Sequence, residues 1–109
     1  MPKFVTIGYG DAAGYRRLTP QLRDAAHAND DALRRRGALM GIAGSPVQVR
    51  NPGGQGAATR NGAFASSSLP VAGFAVIEAV DLAEAIAMIA ESPCAVADGV
   101  IEVWPLKGT

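Results

Sequence analysis

The chain has 109 residues, with ten acidic and ten basic side chains, one histidine and one cysteine. That length suits a single domain, and zero net charge argues against a nucleic-acid binder, which needs a basic excess or a basic face to neutralise phosphates. One cysteine and one histidine exclude an internal disulfide and an ordinary zinc site, which takes three or four nitrogen or sulfur ligands.

The opening residues 1–7 carry a single side-chain charge and too short an apolar run for a signal peptide. No window approaches the roughly 18 apolar residues of a membrane span. A cytoplasmic protein is expected, with neither a membrane nor a nucleic acid as direct partner. Residues 3–9 are predicted as a strand, because Phe4, Val5, Thr6, Ile7 and Tyr9 are β-branched or aromatic. Residues 10–18 read as a connection. Thr19 and Pro20 then give an N-cap and a first-turn proline, so a helix is predicted to about Arg36, stopping at Gly37. Its buried stripe is Leu22, Ala25, Ala26, Asn29 and Leu33.

Residues 38–43 form a short apolar strand, broken by Gly44 and Pro46. Residues 47–50 alternate like a strand, 51–56 make a turn-rich tip, and 57–60 return. Residues 71–79 are the strongest strand, apolar on both parities. Asp81 and Glu84 resemble a capping box, opening a helix with the stripe Leu82, Ala85, Ile86 and Ile89 that Pro93 closes. Residues 100–106 are the last strand, with Glu102 and Trp104 on one face and Ile101 and Val103 on the other.

This order predicts an α+β, ferredoxin-like (split βαβ) fold: an antiparallel sheet, two helices on one face, and an inserted hairpin. Two helices cover only one face of such a sheet. In the 71–79 strand, Ala72, Phe74 and Val76 share one face and Val71, Ala75 and Ile77 the other, so the uncovered face is apolar and a homodimer through the sheet is expected.

Few residues carry chemistry. The turn Gly8-Tyr9-Gly10-Asp11 is no dinucleotide-binding turn, because the helix signal arrives only at Thr19 and Asp11 would repel phosphate. His27 falls off the apolar stripe beside Asp24, Asp30 and Asp31, either as a surface group in a charge network or as an acid/base group in a cleft. Cys94 has no basic neighbour and reads as an inert buried thiol. Ser66, Ser67 and Ser68 offer hydroxyls, which usually form turns unless a base such as His27 is brought alongside.

Asn61-Gly62-Ala63-Phe64-Ala65, followed by Gly73-Phe74 and an apolar strand, resembles the YCII-related superfamily, in its branch named for an Asp-Gly-Pro-Phe motif. The likeness continues through the helix at Asp81 and the closing strand. The chain departs from that motif: Asn61 stands for its acid, Ala63 for its proline, and Ser66, Ser68 and Leu69 for the charged residues that follow. The resemblance implies a dimeric α/β-barrel type assembly that binds a small molecule near the dimer interface, with or without catalysis. The alternative is a non-catalytic interaction protein associated with transcription (sigma-factor) regulation. Candidate catalytic residues are His27, Asp11, Ser66 and Ser68; candidate ligand-binding residues are Tyr9, Arg60, Asn61 and Phe64. No metal and no cofactor are expected. Phe64 is expected to anchor its segment by burying its ring.

Overall fold

The computed structural model describes residues 1–108. β1 (Lys3–Tyr9) alternates as its sequence requires: Phe4, Thr6 and Gly8 are buried, while Val5, Ile7 and Tyr9 lie half-buried on the opposite face. A short helix α1 (Ala12–Arg16) follows, then α2 (Pro20–Arg35). The Thr19 side chain accepts a hydrogen bond from the Leu22 amide at 3.2 Å. At the other end Gly37 takes φ 95°, a conformation that only glycine adopts freely. β2 (Leu39–Ile42), β3 (Val47–Arg50), β4 (Ala58–Asn61), β5 (Val71–Glu78), α3 (Leu82–Ile89), α4 (Pro93–Val96) and β6 (Val100–Pro105) complete the chain.

The main sheet has the order β2-β5-β1-β6, every neighbouring pair antiparallel. β3 and β4 form a separate two-stranded ladder. The order and connections agree with a ferredoxin-like α+β arrangement, the hairpin being inserted between β2 and β5. Four α-helices lie among the described residues rather than the two expected. The supposed connection after β1 holds α1, and Pro93 opens α4 instead of only ending a helix. No helix is long and apolar enough to cross a membrane among the described residues.

The core lies between one sheet face and the helices. Phe4, Ala75 and Ile77 meet Leu33 of α2 and Ala85, Met88 and Ile89 of α3, with Ile101 and Val103 packed alongside. Burying each large side chain contributes about 1.5–3 kcal/mol. The stripes differ in detail from the expectation. Met88 is buried in α3 whereas Ile86 is half-exposed, and in α2 only Ala26 and Leu33 are buried. Asn29 donates from Nδ2 to the Met88 carbonyl at 3.1 Å and the Ser92 hydroxyl at 3.2 Å, which explains an amide within an apolar stripe.

Asp81 caps α3 by accepting from the Glu84 amide at 2.8 Å, while Glu84 reaches back to accept from the Val80 amide at 3.2 Å. Asp81→Ala is expected to cost about 0.5–2 kcal/mol. Urea melts that showed no loss would mean that the cap bond contributes nothing to stability.

Residues 43–70 leave the sheet as an arm. The Ala43 amide donates to the Ala72 carbonyl at 2.9 Å, and the Gly10 amide to the Pro70 carbonyl at 3.0 Å, pinning its base. Beyond that base residues 49–68 are all exposed. The arm stretches the molecule to 52 Å and its radius of gyration to 15.8 Å, against about 13 Å for a compact chain of this size. Phe64 is therefore not an anchor. Its ring is 81% exposed, with the Arg50 guanidinium 5.7 Å from its centroid, because the arm stands clear of the core. The sheet face away from the helices is open, and Leu39, Phe74 and Trp104 stand half-exposed or more on it.

Candidate functional site

A cleft of about 760 Å³ lies between the helices and the helix-facing side of the sheet. That size matches small-molecule sites, which run about 300–1,000 Å³. The sequence makes the space by omission. Gly8 of β1 stands directly opposite Gly73 of β5, so the sheet offers no side chain at this point. Cys94 of α4 fills part of the gap, and a Cβ added at Gly8 would sit 3.1 Å from its Sγ. Met40, Ala75, Ile89 and Ile101 make the remaining wall largely apolar.

Polar groups gather along one side. α1 begins at Asp11, whose Oδ1 accepts from the Gly14 amide at 2.8 Å, and the single turn that this cap stabilises swings Tyr15 toward α2. There the Tyr15 hydroxyl lies 2.6 Å from His27 Nε2. The two rings meet edge to face, 6.0 Å between centroids, and the Arg23 guanidinium lies 5.4 Å from the centroid of Tyr15. Arg23 and His27 are one helical turn apart, so one face of α2 meets both the ring and the hydroxyl of Tyr15. Arg17 ties α1 to the loop before β6 through Asp98, Nη2 to Oδ2 at 2.7 Å.

Asp30 lies one turn beyond His27 and half-buried. Burial raises its pKa above the ordinary carboxylate value and Asp31 adds to that, while Arg34 and His27 oppose the rise. The Cys94 thiol is likewise pushed up, first by burial and then by the charge of Asp30, so it stays protonated and a poor nucleophile at neutral pH. Among the described residues no cluster of three His, Cys, Asp or Glu side chains could hold a metal ion.

A carboxyl with a raised folded pKa is harder to ionise in the folded chain than in the unfolded one. It withdraws stability above its folded pKa and returns it as the pH falls through that value. Asp30→Asn is therefore expected to be more stable than the parent at pH 7, the gap closing toward about pH 4 as the unfolded carboxyl also takes up its proton. Paired denaturant melts at pH 7 and pH 4 check this; a variant no more stable at pH 7 would discount the burial of Asp30.

No family model matches this chain. No curated protein matches it either. The site thus rests on its own geometry. His27 and Asp11 line the cleft together, although Asp11 is engaged as a helix cap. Ser66 and Ser68 lie on the exposed arm, whereas His27 is bonded to Tyr15, which removes the arrangement that a serine nucleophile would need.

The ligand-binding candidates do not assemble. Tyr9 points to the open sheet face, where its hydroxyl donates to Glu102 Oε1 at 2.6 Å and its pKa is raised, chiefly by that hydrogen bond. Arg60, Asn61 and Phe64 are exposed on the arm. A shallower hollow of about 430 Å³ on the arm, lined by residues 46–50 and 62–64, has Arg50 as its one charged side chain. Tyr15 was not foreseen. Its signal was Asp11 followed three residues later by Gly14, the spacing at which an aspartate caps a short helix.

Proposed function

We propose that the protein binds a small organic molecule in the cleft and moves a proton to or from it through the Tyr15–His27 pair. The observation that supports this reading is the 2.6 Å contact between Tyr15 Oη and His27 Nε2 on the polar side of a largely apolar cavity. A ring protonated on Nδ1 accepts the phenol proton at Nε2, and a ring protonated on Nε2 donates to the phenol instead. The pair can thus present either a donor or an acceptor to a ligand group within reach. Asp30, reluctant to ionise, favours a neutral or hydrogen-bonding group beside it over a second anion. In this proposal the ligand's apolar body rests on the floor around Gly8 and Gly73, and its polar end faces Tyr15 and His27.

The chain is further proposed to be a YCII-like, cytoplasmic protein that forms a homodimer through the open sheet face. The test is a thermal-shift screen of small hydroxylated and carbonyl compounds with an apolar body. A ligand at a hundred times its Kd should stabilise by about 2.7 kcal/mol. Tyr15→Phe and His27→Gln should abolish turnover or weaken binding while leaving the unliganded Tm nearly unchanged, since both groups sit at the surface side of the cleft. Ligands bound equally well by both variants would overturn the role of the pair. The competing reading, an interaction protein linked to transcription, would leave the cleft unused, and no compound would then stabilise the fold.

A further inference from the structure

The arm is the least explained part of the molecule. A two-stranded hairpin standing alone in water is marginal at best. This one nevertheless exposes Val47 at 55%, Val49 at 67% and Phe64 at 81%. Its charge is also one-sided. No acidic residue occurs from position 32 to 77, so the arm carries Arg50 and Arg60 uncompensated. With the whole chain neutral, the remainder bears the opposite excess of two.

The open sheet face has the complementary character. Leu39, Phe74 and Trp104 give it apolar bulk, and Glu102 stands among them on the edge strand β6. Tyr9 and Trp104 both donate to Glu102 Oε1, at 2.6 and 3.4 Å, and neither bond uses Oε2. Size points the same way. Four strands about 4.8 Å apart and roughly six residues long at about 3.3 Å each present around 400 Å². A standard interface takes about 800 Å² from each partner. Sheet against sheet is half an interface.

We propose that the arm supplies the other half by clasping a second copy of this chain. Val47, Val49 and Phe64 lie against the second copy's sheet at its β6 edge, and an arm arginine, Arg60 or Arg50, engages Glu102 there. This rests on the proposed sheet dimer and adds the arm as the element that makes it stable. An arginine fork suits a carboxylate whose second oxygen is available. A buried aromatic ring with an adjacent arginine is the usual composition of an interface hot spot.

Sedimentation equilibrium over a micromolar concentration series tests it, with circular dichroism confirming that each variant keeps its fold. Phe64→Ser, Arg60→Glu paired with Arg50→Glu, and Glu102→Arg should each raise the dimer Kd by about tenfold or more. Combining the arm reversals with Glu102→Arg should restore much of the loss. A photo-crosslinker at position 64 should label the peptide containing residues 100–105 of the other chain in a mixed-isotope sample. Parent protein that sediments as a monomer would overturn both the sheet dimer and the clasp. A parent dimer whose Kd is unmoved by the arm variants would overturn the clasp alone, as would crosslinks confined to the same chain. An arm that retains duplex DNA or RNA, and loses it with Arg50 and Arg60, would show that it faces nucleic acid and would likewise overturn the clasp.

Discussion

Ile77→Ala is expected to lower the unfolding free energy by about 2–5 kcal/mol. Ile77 is 1% exposed and the largest side chain to be fully buried. It stands opposite Phe4 across the central strand pair, within the cluster that joins the sheet to α2 and α3. Truncation removes methyl groups from a closed space and leaves a cavity that two rigid strands cannot collapse. A domain of this size has only about 5–15 kcal/mol to lose, so a loss at the top of the first range would cancel a stability at the bottom of the second. Ile86→Ala is the control. It deletes the same groups from a side chain that is half-exposed on α3, and should cost well under half as much. Urea midpoints for the two variants check both; equal losses would mean that the burial pattern is wrong.

Gly99→Ala is expected to be at least as damaging, at about 3 kcal/mol or more. A Cβ at this position would lie 2.3 Å from the Tyr9 carbonyl oxygen and 2.7 Å from that of Cys94. Both are backbone atoms and neither can rotate away. Relief requires β6 to part from the end of β1 where Val100 pairs with Tyr9, or α4 to lift from the sheet. Either movement opens the cleft at Cys94. The variant should therefore both melt earlier and react faster with a thiol reagent. A melt within about 1 kcal/mol of the parent would show that the three segments adjust freely.

The elements that the sequence displayed best are those with an explicit start and stop. Thr19-Pro20 and Gly37 bracket α2, and Asp81 with Glu84 opens α3. The strong apolar runs at β1 and β5 became the centre of the sheet. Two short helices were hidden for different reasons. α1 has five residues, too few to show a periodicity, and Asp11 falls in the stretch that reads as a connection. Pro93 reads as a terminator, but proline is equally at home in a first turn, and here it begins α4. The candidate site was half-legible. His27 was visible as a group off the stripe, but its partner Tyr15 is twelve residues away and reaches it only because α1 folds back on α2. Phe64 failed in the opposite sense. A ring among small polar residues suggests an anchor, but its burial depends on what lies beside the arm in space, and sequence spacing does not carry that.

The arm has a consequence for how the chain folds. β2 and β5 are neighbours in the sheet, and the 28 residues between them could have been a tight turn. Loop-closure entropy grows by about 0.6 kcal/mol for each doubling of length, so nearly three doublings from a four-residue turn cost roughly 1.7 kcal/mol. β1 and β5 are separated even more widely, and the sheet's central pairing is thus a long-range event from either side. Topologies of this kind fold slowly. Replacing residues 45–68 by a short turn should speed folding and steady the isolated protomer, with stopped-flow refolding as the measurement. Such a chain would fold better alone than the natural one does, so the arm is retained at the expense of the very property that an isolated domain would select for.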